Sequence, residues 1–182
     1  MLIKPLVLAL ALWLPCAMAT TVTSHYSPIG GNAWSVEFTV LNDGPQVEVG
    51  GFTIYFPEAT FTALSLEGSP GTWDALVIQP DLAIPSPGFI DAFAIDAADR
   101  LSDGESIDGF QVGFTFVGIG TPGPLAFDIV DNNFQVVVSG LTIVPGGPVN
   151  TVPSSGTLSL FALSVVASFG IRRWRAQKPS AC

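Results

Sequence analysis

The chain has 182 residues and a formal net charge of −9, from fifteen Asp and Glu against six Lys and Arg. All fifteen acids lie between Glu37 and Asp131, where Arg100 is the one basic residue, so that stretch alone carries about −14. Phosphate recognition needs clustered Lys and Arg, which excludes nucleic acid as a partner, whereas divalent cations would be attracted.

Met1 to Ala19 (MLIKPLVLALALWLPCAMA) reads as a helical signal peptide. Lys4 supplies the positive start, Leu6 to Leu14 the apolar centre, and Ala17-Met18-Ala19 the small-residue site for signal peptidase, with cleavage after Ala19. The chain is therefore expected to be exported. Cys16 would leave with this peptide, and the only other cysteine is Cys182, so the stretch between has neither disulfides nor thiol catalysis.

Residues 20–145 are expected to form a single all-β domain, a β-sandwich of immunoglobulin-like or jelly-roll-like type with about eight or nine strands. Its stability must come from packing alone. Trp34, Val36, Phe38 and Val40 alternate with polar residues, which predicts a strand with one buried face. Asn42-Asp43-Gly44-Pro45 breaks it. Val47 to Phe56 follows, with a bend at Gly50-Gly51 and with Phe52, Ile54 and Phe56 on one face. Short strands are expected at Phe61 to Leu66, Leu76 to Ile78 and Phe89 to Ile95, and Pro80 to Gly88 is a proline-rich loop. Phe110, Val112, Phe114 and Phe116 give the clearest alternation. The GIGTPGP run, Gly118 to Pro124, is a turn; it lacks the Lys and the following helix of a phosphate loop. Leu125 to Val130, Phe134 to Ser139 and Leu141 to Val144 complete the set, and residues 146–151 form a linker.

Candidate chemistry is sparse. The only histidine is His25, read as an exposed strand residue, so a Ser-His-Asp site is not expected and no catalytic residue is assigned. Trp73 is placed in a loop after Pro70-Gly71, where it either stacks on a sugar or plugs one end of the sandwich. The acidic run from Asp91 to Asp108 is either a solvated loop or a Ca²⁺ site. In the second case Asp96, Asp99 and Asp103 are the candidate ligands. The spacing is not that of an EF-hand, because Phe110 stands where a bidentate Glu would be needed. No other cofactor is expected.

The final segment turns apolar and then basic. Leu158 to Ile171 is a run of fourteen mainly apolar residues, roughly 21 Å as a helix. That is thin against the ~30 Å of a bilayer core. Arg172, Arg173, Arg175 and Lys178 follow and are expected in the cytoplasm, which agrees with export of the rest. Val152-Pro153-Ser154-Ser155, the apolar run and the arginine cluster together resemble the PEP-CTERM sorting signal of Gram-negative bacteria. Leu101 to Thr142, with its Phe-rich strand and Thr-Pro-Gly loop, is similar to the same group of proteins. In that family the motif is typically Val-Pro-Glu-Pro; here Ser154 and Ser155 replace the Glu and Pro. The resemblance implies recognition of residues 152–178 by an exosortase-type membrane protease, and association with exopolysaccharide and biofilm. Without that processing the helix would be a permanent one-span anchor. The expectation is a non-enzymatic structural or interaction protein. It would pass the inner membrane with its domain in the periplasm, then reach the cell surface or extracellular matrix. A Ca²⁺-dependent carbohydrate-binding module is the alternative.

Overall fold

Residues 20–44 and 48–146 are described by the computed structural model. They form nine strands and one short 3₁₀ turn. The strands are β1 (Thr21–Gly30), β2 (Ala33–Leu41), β3 (Gly51–Phe56), β4 (Phe61–Gly68) and β5 (Trp73–Ile78). They continue as β6 (Gly88–Ala94), β7 (Ser106–Phe116), β8 (Ala126–Val130) and β9 (Val136–Leu141). The 3₁₀ turn is Ala97–Asp99. Both expected terminal helices, the sorting residues Val152, Pro153, Ser154 and Ser155, and the basic residues Arg172, Arg173 and Arg175 lie outside the described residues. Among the described residues no helix is long and apolar enough to cross a membrane.

Two sheets are formed, a four-stranded one in the order β1-β2-β7-β4 and a five-stranded one in the order β5-β6-β3-β8-β9. Every strand pair within them is antiparallel. The core lies between them and follows the period of two. Val36, Phe38 and Val40 on β2 and Phe110, Val112 and Phe114 on β7 meet Phe52, Ile54 and Phe56 on β3. Phe52 and Phe110 pack edge to face at 4.8 Å between ring centroids, and Phe56 packs against Phe38 and Phe61. Burying one such side chain stabilises the fold by about 2–3 kcal/mol.

The strand ends sort into two groups. At one end Asn42 N–H donates to Glu105 O, Val49 bridges Leu101, and Ile95 N–H donates to Thr72 O. This end gathers loops 42–50, 69–72, 95–105 and 131–135. At the other, Phe116 N–H donates to Asn32 O and Val117 N–H to Thr60 O. That end gathers loops 31–32, 57–60, 79–87 and 117–125.

Three expectations are corrected. The first strand, β1, was expected only at His25 and extends over ten residues: Ser24 occupies an inward position and Pro28 sits in the strand, so the apolar alternation is broken. Pro28 is tolerated because β1 is an edge. Trp73 opens β5 instead of sitting in a loop. Phe134 belongs to the turn before β9, and the last expected strand is divided: Leu141 ends β9 opposite Ala126, while Ile143 forms a parallel bridge with Thr23. Through it the chain after β9 crosses to the outer edge of β1, where Ser24 N–H donates to Ile143 O and Ile143 N–H to Val22 O.

The other edge of that sheet is finished by a side chain. Ala63 has φ 52°, and the register of β4 shifts between Thr62 and Ser65. The backbone of Leu64 there pairs with Gln79, whose Oε1 accepts from the N–H at 2.9 Å and whose Nε2 donates to the C=O at 2.6 Å. One amide thus takes the place of a neighbouring strand.

Candidate binding surface

Trp73 is only 2% exposed. Its ring packs against Phe52 at 5.9 Å and Phe110 at 5.7 Å, and Nε1 donates to Asp99 O at 3.1 Å. Both the aromatic surface and the polar handle are used inside the protein. The sugar-stacking assignment of Trp73 is therefore corrected: it is the plug at one end of the core.

Asp96, Asp99 and Asp103 are not brought together as ligands. Asp96 and Asp99 flank the 3₁₀ turn, where Asp99 N–H donates to Asp96 O, and Asp103 lies in the next turn. Among the described residues no three His, Cys, Asp or Glu side chains cluster to hold a metal ion. His25 stands exposed on β1. Arg100 reaches only Glu48, at 3.8 Å.

What the structure does assemble is the outer face of the five-stranded sheet. Because Ile90 and Ala92 of β6 point inward, Phe89, Asp91 and Phe93 point outward. The register then sets rows across the strands. One row is Leu76, Asp91, Thr53, Asp128 and Ser139. Beside it Ile78, Phe89 and Tyr55 form another. A third runs from Asp74 through Phe93 to Gly51. Gly51 is a requirement here, since the ring of Phe93 lies where a Cβ would stand.

The polar groups of this face are tied laterally. Thr53 Oγ1 donates to Asp91 Oδ1 at 2.6 Å, Tyr55 OH donates to Asp128 Oδ2 at 2.9 Å, and Ser139 Oγ donates to Asp128 Oδ1. Partial burial, then the bond to Asp128 and the charges of Asp128 and Asp91, hold the Tyr55 phenol above its ordinary value. Tyr55 therefore stays protonated and keeps its ring fixed 6.4 Å from that of Phe89. The carboxylates retain free lone pairs, because each has about four acceptor sites.

At the rim stands Phe134, 71% exposed with φ 59°, a costly backbone region for a bulky residue. The turn around it is fastened by Asp131, whose Oδ1 accepts from the N–H groups of Asn133 at 2.8 Å and Gln135 at 2.9 Å. These bonds, that of Gln135 first, hold the Asp131 carboxyl below its ordinary value. A depressed acid stabilises its fold above the ordinary carboxylate range and loses that contribution as pH falls through the folded value. The fastening is complete at neutral pH. The Phe134 ring leans on Phe93 at 5.3 Å.

The sequence offers Tyr55, with Tyr26 and Trp73, as an aromatic able to stack on a sugar, but it does not show the face around Tyr55. Phe89 to Ile95 reads as a continuous apolar run with one acid. Period two would have put Phe89, Asp91 and Phe93 together on the face away from Ile90 and Ala92.

No protein-family model matches the chain, and no curated protein matches it. Among solved structures it resembles an uncharacterized protein from Nocardia farcinica with an immunoglobulin-like fold. The TM-score is 0.53 at 16% identity, over 73% of this chain and 91% of that one. The sandwich is immunoglobulin-like. Looser likenesses are a cohesin module from a Clostridium perfringens family 33 glycoside hydrolase and the chitin-binding domain of Chi18aC from Streptomyces coelicolor. The first has TM-score 0.46 and 10% identity, over 70% of this chain and 97% of that one. The second has TM-score 0.39 and 18% identity, over 60% and 90%. At those scores neither bears on what this immunoglobulin-like domain does.

Proposed function

We propose that this chain is an exported, non-catalytic interaction protein of the cell surface or extracellular matrix, and that the outer face of its five-stranded sheet holds exopolysaccharide. The observation that carries the reading is the juxtaposition of Tyr55, Phe89, Phe93 and Phe134 with Asp91 and Asp128 on one outward sheet face, half-buried in the strands and exposed at Phe134. Sugar rings have apolar C–H faces that lie on aromatic rings and hydroxyls that donate to carboxylates. An outward sheet face suits a chain of sugars better than one small molecule, which favours a concave pocket. The face carries acids and no Lys or Arg, so a neutral or amino-bearing glycan fits it and a polyanionic one is repelled.

The test is binding of the full chain to immobilised glycans that differ in charge. Phe134→Ala, at an exposed position, is expected to weaken binding to neutral or amino-bearing glycan about threefold to tenfold. Its unfolding midpoint should stay that of the parent. Chelating divalent metal is expected to leave binding unchanged. A chain that binds none of these glycans, or that binds equally well without Phe134, sinks the face as the site.

Export and sorting are the second half of the proposal, supported by the signal-peptide pattern and by the likeness of residues 152–178 to an exosortase substrate. Intact-mass measurement on membrane and released fractions is expected to show a start at Thr20 and an end between Val152 and Ser155. A mature chain that keeps Cys182 in every fraction would mean a permanent anchor.

A further inference from the structure

The two ends of the sandwich differ in chemistry. Loops 42–50, 95–105 and 131–135 at one end hold seven of the fifteen acids. The loops of the other end hold Glu58 and Asp81. That second end instead presents Leu82 and Ile84, 70% and 73% exposed, with Val117, a fully exposed Ile119, and Ile29 at the end of β1. They stand on turns that hold them out. Asp81 Oδ1 accepts from the N–H groups of Ala83 and Ile84, and Ile119 sits between Gly118 and Gly120, the latter at φ 82°. Single exposed aliphatics are ordinary on a protein surface. Five share the end that holds only two acids, while the end with seven acids exposes Ile95, Phe134 and Val136, so the apolar end is the one with little charge to keep it from lipid.

The direction of the chain singles out the occupant. Ile143 bridges Thr23 in parallel, so the backbone there runs the same way as β1, toward the apolar end. Residues 147–157 are all that separate the described domain from the apolar run beginning at Leu158. Eleven residues span at most about 40 Å. We propose that the end bearing Ile29, Leu82, Ile84, Val117 and Ile119 docks on the lipid bilayer while the C-terminal segment is inserted, with the acidic end turned away. This rests on the reading of residues 152–178 as a membrane segment. Aliphatic side chains enter the headgroup region, and a tether this short raises their effective concentration there, so weak contacts suffice. Anionic lipid repels the acidic end and reinforces the same orientation. Docked this way, the sheet face stands along the membrane normal, open to polymer from the side.

The test places an environment-sensitive fluorophore on the full chain in phosphatidylethanolamine–phosphatidylglycerol vesicles. Ile119→Cys and Asp103→Cys carry it in turn, with Cys16 and Cys182 replaced by serine. Lipids spin-labelled at the headgroup are expected to quench the probe at 119 at least threefold more than the probe at 103. Adding Leu82→Asp and Ile84→Asp should return the 119 probe to the level of the 103 probe. Equal quenching at both sites overturns the docking. So does a shielded 119 probe that appears without lipid and grows with protein concentration, because a second copy would then cover this end. Flotation with the vesicles scores the anchor separately. A chain that floats but shows equal quenching loses the docking alone, and a chain that fails to float loses the anchor and the docking with it.

Discussion

Trp73→Ala is expected to lower the stability of the domain by about 3–5 kcal/mol, the usual cost of deleting a large buried aromatic. The ring fills the end of the core against Phe52 and Phe110, so its removal leaves a cavity lined by two phenyl groups. Domains of this size have only about 5–15 kcal/mol in total. The variant should therefore sit close to its unfolding threshold at growth temperature. Trp73→Phe keeps most of the packing and loses the bond from Nε1 to Asp99 O, for a cost of about 1–2 kcal/mol. Urea unfolding followed by circular dichroism reads both. A Trp73→Ala chain with an unshifted midpoint and no glycan binding would reverse the assignment and return Trp73 to the surface.

Asn42→Ala is expected to cost about 2 kcal/mol and to loosen one end of the sandwich. Asn42 is buried where β2 leaves its sheet. Its Nδ2 donates to Leu101 O at 2.9 Å, and its Oδ1 accepts from Thr20 Oγ1 at 3.2 Å and from Gly44 N–H at 3.3 Å. One amide thereby fixes the start of the domain, the turn after β2 and the acidic loop before β7. Alanine leaves those partners without it in a site with little access to water, and the penalty is that of unmet polar groups rather than of lost area. Amide hydrogen exchange at Gly44 and Gly104 should quicken while that of β7 holds. Uniform acceleration across both sheets would mean that Asn42 acts on global stability instead.

The parts of the fold that could be read in the sequence are those where one physical signal dominates. Phe52, Ile54 and Phe56, and Phe110, Val112 and Phe114, alternate without interruption, and each group is buried. β1 was legible only at His25 because its inward positions include Ser24 and its length includes Pro28, so composition and pattern both hid its extent. Trp73 was displaced into a loop by Pro70-Gly71, although its N–H donates to the carbonyl oxygen of Pro70 and the strand begins there. The candidate surface was harder still, since it depends on register. Thr53, Asp91 and Asp128 are far apart in the chain and become neighbours only when β3 lies between β6 and β8. Local periodicity says which face a residue takes and is silent about which strand lies beside it.

The edges of the four-stranded sheet bear on how copies of this protein meet one another. An open strand is a template on which other chains can polymerise. Here one edge is occupied by the chain's own continuation at Ile143 and interrupted by Pro28, and the other is bent at Ala63 and closed by the amide of Gln79. Both edges of this sheet are thereby protected from growing into cross-β fibres.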